Sequence, residues 1–147
     1  MMPQTAEQSP FIDAFQGKFT NMLRWEQLDG LWETVRNTNK HWHIYAVGET
    51  PPSETASTQQ LDTFLNEVTH LLKEEHQEDY CGIVYADNKE DPSFIKIYDP
   101  NNLGAVCGFR NNPPLPGWVL SEIKPTDLKS ALPQPGNRKR WWQRIFK

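Results

Sequence analysis

Hydrophobic positions along the chain alternate between helical and strand periods. Ser9-Pro10, then FIDAFQ and Gly17, reads as a short helix with a cap, a proline in its first turn and a glycine exit. From about 20 to 37, Met22, Leu23, Leu28, Leu31, Trp32 and Val35 recur at a 3.6-residue period with Trp25 beside them, which predicts a second helix. Gly30 is a weak point at which that helix is expected to break. HWHIYAVG (41–48) has the aromatic and β-branched content of a strand. After the proline-rich ETPPSETAS, Ser57 and Gln60 have capping-box spacing. They open a helix to about His76 whose stripe is Leu61, Phe64, Leu65, Val68, Leu71 and Leu72.

Four short strand segments follow, YCGIVYA, SFIKIYD, LGAVCGF and GWVLSEI, separated by turn chemistry in DNKEDP, PNN and RNNPPLP. Short connections favour antiparallel neighbours. The predicted class is α+β: a mainly antiparallel sheet of four to five strands with helices packed on one face, plus a short basic-aromatic C-terminal segment. KPTDLKSAL is expected to add a helical turn from Thr126. The expected organisation is a flexible N-terminus (1–8), a single α+β domain (9–132), a Pro/Gly linker (133–137) and an amphipathic tail (138–147).

Composition narrows the class of protein. A length of 147 residues suits one domain with a real core, and 37% hydrophobic with 23% charged residues is ordinary for a globular chain. Two cysteines, Cys81 and Cys107, do not make a disulfide scaffold; both lie in strand-like segments, as expected of reduced, packed thiols in a cytoplasm. The first residues carry no basic leader followed by an apolar run, and no stretch is apolar enough to span a bilayer, so a cytoplasmic protein without a transmembrane segment is expected.

Charge is unevenly placed. Five of the 15 Lys and Arg fall within the last ten residues, which contain no acid; the other 137 residues hold ten bases against 19 acids, a net of −9. Such an acidic body argues against nucleic-acid binding, which draws its affinity from phosphate attraction. If 138–147 forms a helix capped by Asn137, Trp141, Trp142, Ile145 and Phe146 share one face, with Lys139, Arg140, Arg144 and Lys147 opposite and Arg138 in the first turn. That helix is about 15 Å long, too short to cross a bilayer and marginal alone in water. It suits attachment to an anionic membrane surface, insertion into a groove on a partner protein, or packing on its own domain.

Catalytic chemistry has weaker support. His41 and His43 alternate on a strand and would project from one face, the beginning of a Zn or Fe site that still lacks a third ligand nearby; the plainer reading makes them the polar face opposite Trp42, Ile44 and Ala46. Cys107 precedes Arg110 by three residues, and the 110–118 loop RNNPPLPGW could shape a pocket. The carboxylates at Glu74-Glu75, Glu78-Asp79, Asp87 and Glu90-Asp91 fall at helix ends and in loops, where acids are usually solvated. No nucleotide-binding glycine motif is present and no cofactor is implied. The expected function is a non-enzymatic binding or adaptor module attached through 138–147; the alternative is a small enzyme using Cys107 or a His41/His43 metal site near the 110–118 loop.

Overall fold

A computed structural model of the chain describes residues 9–76, 78–101 and 115–128. In chain order the elements are α1 (Pro10–Phe15), β1 (Thr20–Asn21), α2 (Trp25–Asn37), β2 (His43–Ala46), α3 (Thr58–Glu75), β3 (Val84–Ala86), β4 (Phe94–Ile97) and β5 (Trp118–Ser121). The strands form one five-stranded sheet in the order β1-β3-β4-β5-β2, with every neighbouring pair antiparallel. The fold is α+β.

Local chemistry sets the helix boundaries. The Ser9 hydroxyl accepts from the Ile12 N–H at 3.0 Å at the start of α1. At the start of α3, Ser57 Oγ accepts from the Gln60 N–H and Gln60 Oε1 accepts from the Ser57 N–H, satisfying two backbone donors reciprocally. The second helix starts at Trp25, later than its periodicity suggests: the Gln27 side chain accepts the Arg24 N–H. The preceding Thr20 and Asn21 extend instead and pair with Ala86 and Tyr85. Gly30 does not break α2, which runs unbroken to Asn37. Residues 126–128 are not helical, and the rest of the turn expected in KPTDLKSAL, like the strand expected at LGAVCGF, lies outside the described residues.

Register divides the sheet into two faces. Ile44, Ala46, Val84, Ala86, Ile95, Ile97, Trp118 and Leu120 belong to the larger core with the apolar stripes of α2 and α3. Trp32 Nε1 donates to Thr69 Oγ1 at 2.7 Å between those helices, and Arg36 reaches Asp62 and Asn66. The two long helices therefore share one face, as expected. The short helix is different. Phe11 of α1 packs with Tyr45, Phe94, Val119 and Leu128 in a second cluster, its ring centroid 5.1 Å from that of Phe94. The sheet is thus covered on both faces, because α1 and the stretch after β5 bring enough apolar surface to dry the second one.

Candidate functional site

The histidine pair is split by this arrangement. His41 precedes β2 and is exposed; His43 lies within it, only 8% exposed, on the face with Tyr45. Its Nδ1 lies 3.0 Å from the Ser121 carbonyl oxygen, a geometry in which the ring donates. The face expected to be polar is a buried one, and His43 serves as a cross-strand tie. Among the described residues no group of three His, Cys, Asp or Glu is placed to hold a metal ion.

Cys81 is fully buried, and burial pushes its thiol above the ordinary value, with backbone hydrogen bonds from Ile83, Val84 and Gly82 pulling the other way. That is the setting of an inert thiol. Asp87 is a turn organiser: its carboxylate accepts from the backbone N–H groups of Asn88, Ser93 and Phe94 and from the Ser93 hydroxyl. Asp91 and Glu122 flank Lys40, and the hydrogen bond that its ammonium donates to Asp91 is the main cause of a raised pKa, against an opposing effect of burial. Cys107, most of the 110–118 loop and the whole of 138–147 (Arg138, Lys139, Arg140, Trp141, Trp142, Arg144, Ile145 and Phe146) lie outside the described residues.

Two features absent from the sequence reading emerge. On the second face, Lys96 of β4 sits opposite Tyr85 and Val119 in register, and its Nζ lies 4.2 Å and 4.1 Å from the ring centroids of Phe15 and Phe19. Burial lowers its pKa, and among the described residues it has no carboxylate partner. The two rings supply the negative faces that an acid would otherwise provide.

The other feature is a surface. Leu23 and Tyr80, 56% and 52% exposed, are the exposed large hydrophobic side chains among the described residues, and backbone hydrogen bonds join the two segments that carry them. The Cys81 N–H donates to the Leu23 carbonyl at 2.9 Å, and the Gly82 N–H to that of Met22. The Tyr80 ring folds over Gly82, whose φ of +72° suits glycine; a Cβ there would come within 3.2 Å of the ring. His76, which caps α3 at its C-terminus, meets the Tyr80 ring edge-on at 5.8 Å and the Trp25 ring at 6.3 Å. Its Nε2 donates to the Cys81 carbonyl, and Trp25 Nε1 donates to that of Glu78, so the aromatic groups are fixed by backbone partners.

Acids flank these residues along the chain: Glu26 follows Trp25, Glu74 and Glu75 end α3, and Glu78 and Asp79 precede Tyr80, with Arg24 and Lys73 as nearby bases and Glu74 lying 3.6 Å from His70. Arg24 lies 3.9 Å from Glu26, and Lys73 Nζ lies over the Trp25 ring at 5.7 Å. The patch adjoins the C-terminus of α3, where the helix dipole adds negative potential to that of the carboxylates. The arrangement joins exposed apolar and aromatic groups to segments rich in acids. Its core-facing and solvent-facing members could not be separated by period alone, since Leu23 falls on the apolar stripe and Tyr80 at the start of a strand-like run.

Two open clefts lie among the described residues. One of about 620 Å³ lies between α2 and α3, bordered by Trp32, Glu33, Arg36, Asn66, Thr69 and His70; another of about 300 Å³ lies at the start of α3 beneath residues 52–56. Neither combines an activated nucleophile with a positioned base. No described helix is long and apolar enough to cross a membrane. No protein-family model, curated protein or solved structure matches this chain.

Proposed function

We propose that this protein is a non-enzymatic, cytoplasmic binding or adaptor module that attaches peripherally to an anionic membrane surface through residues 138–147. The single observation that carries the reading is the composition of that segment: five bases, no acid and four large apolar side chains in ten residues, following a body of net −9. Tryptophan and phenylalanine suit the interfacial zone of a bilayer, while Lys and Arg suit anionic headgroups. The structural roles of His43, Cys81 and Asp87 support a binding module over the alternative enzyme by accounting for three chemically capable groups without catalysis.

Sedimentation of the full chain with vesicles tests this. Binding is expected with vesicles containing phosphatidylserine, weakening with salt, and is lost in Arg140→Glu/Arg144→Glu and in Trp141→Ala/Trp142→Ala, because electrostatic attraction and apolar insertion are both required. Equal failure with anionic and neutral vesicles overturns the membrane reading. Saturable, lipid-independent binding to a protein would replace it with partner-groove docking.

A further inference from the structure

We infer that the Leu23–Tyr80 patch is a docking surface for the chain's own C-terminal segment, residues 138–147, engaged in cis. This rests on reading 138–147 as an interaction segment, and adds that its resting partner is the domain that carries it.

Three observations lead there. The patch has the composition that complements the segment: the apolar groups of Leu23, Tyr80 and Trp25 lie on segments that also carry Glu26, Glu75, Glu78 and Asp79. Trp141, Trp142, Ile145 and Phe146 supply the apolar counterpart, and the five bases of the segment supply the opposite charge. Such juxtaposition favours one partner and repels acidic ones. The two exposed apolar side chains, far apart in sequence, also lie on segments joined by the bond from the Cys81 N–H to the Leu23 carbonyl, so their exposure belongs to one region of the surface.

In the plane of the sheet the tether is long enough, with length left over for the passage from the face of Leu128 to that of Trp25. Leu128, the last described residue, is held by Tyr45 on β2 at one edge of the sheet. The patch adjoins β1 at the other edge, through the Leu23 and Met22 carbonyls. Four strand spacings separate those edges, about 19 Å at the usual 4.8 Å per spacing. The ten residue steps from 128 to 138 extend to about 33 Å at most. A segment tethered within that radius meets the patch at an effective concentration on the order of millimolar, so even a weak contact is populated.

The consequence is a competition. The same aromatic and basic side chains cannot lie on the patch and in a bilayer at once, so docking lowers apparent membrane affinity by the undocked fraction. The domain then acts as a mask that an anionic surface must displace.

Photocross-linking of the full chain tests the contact directly. With p-benzoylphenylalanine replacing Trp142, illumination in vesicle-free buffer is expected to yield cross-links to residues 22–26 or 78–82. In a mixture of ¹⁵N-labelled and unlabelled protein these cross-links should join atoms of the same isotope label, as a contact within one chain requires. The yield should drop about tenfold with Leu23→Ser/Tyr80→Ser and with Glu78→Lys/Asp79→Lys, two variants that disturb the patch by different means. Cross-links confined to other regions, or a yield indifferent to both variants, overturn the inference. Mixed-label cross-links overturn the cis assignment in favour of a second copy. Vesicle sedimentation of the patch variants provides the separate arm: tighter binding than the parent supports masking. Cross-linking at the patch with no vesicle binding by any variant retains the docking surface and defeats the membrane reading alone.

Discussion

The backbone N–H of Leu128 donates to the hydroxyl oxygen of Tyr45 across 3.0 Å, between groups that are both buried. This bond fastens the stretch after β5 to the edge strand β2 and closes the second core around Phe11, Phe94 and Val119. Tyr45→Phe removes the acceptor and leaves a buried N–H, so a loss of about 1–3 kcal/mol is expected. Urea denaturation measures it, and amide exchange at Leu128 should accelerate with it. Burial, the main cause, raises the phenol pKa, with the Leu128 hydrogen bond opposing. A group whose folded pKa is raised stabilises below its unfolded value near 10 and loses that contribution as pH climbs through the folded value. The parent should therefore lose stability above about pH 10 more steeply than Tyr45→Phe.

The core of α3 gives a graded test. Leu65 is fully buried against the sheet, whereas Leu61, one turn earlier, is only partly covered. Leu65→Ala should cost about 2–5 kcal/mol as a large-to-small change in a packed core, and Leu61→Ala clearly less. Chemical denaturation of the two variants checks the order; equal costs would contradict the packing of that helix face.

Much of this architecture was readable from local signals. The stripe from Leu61 to Leu72 and the Ser57–Gln60 box are encoded within one element, so α3 emerges with its boundaries nearly intact. Thr20 and Asn21 extend where the helical period predicts a first turn, because their decisive partners, Ala86 and Tyr85, lie far along the chain, and a two-residue strand has no period to detect. The same limit applied to His43: alternation places it on one face of β2, but only the arrival of α1 and Leu128 determines that this face is dry. The basic-aromatic segment was conspicuous as a sequence. The Leu23–Tyr80 patch was not, because it is assembled by backbone bonds between the entry to α2 and the exit from α3.

Lys96 yields a prediction about alkaline pH. Burial lowers its pKa below 10.5, so between the folded and unfolded values the unfolded chain binds more protons than the folded one. Stability therefore gains a contribution that rises with pH through that window, opposite in sign to that of Tyr45. Lys96→Met retains the apolar stem between Phe15 and Phe19 without the charge. The difference in urea midpoint between parent and variant, followed from about pH 8 to 10, should shift in the parent's favour as pH rises, because the tyrosines and Lys40 titrate in both proteins and cancel. A flat difference would show that the two rings compensate the desolvated ammonium fully.

The two histidines of the HWH run should separate under mutation. His43 is buried and bonded to the Ser121 carbonyl, whereas His41 is exposed just before the strand. His43→Ala removes ring packing and the imidazole's hydrogen bond to the Ser121 carbonyl, for an expected loss of about 1–3 kcal/mol; His41→Ala should fall within about 0.5 kcal/mol of the parent. The structural role also makes a forecast about metal. With Nδ1 committed to Ser121, a metal ion at this strand would have to use His43 Nε2 together with His41 and ligands from elsewhere. Elemental analysis of untagged protein should therefore find no stoichiometric zinc or iron lost on either substitution. A metal ion bound one per chain and lost equally in both variants would make the pair a ligand set and return the enzyme reading to the front, whereas a stability loss confined to His43→Ala assigns that side chain to the frame of the sheet.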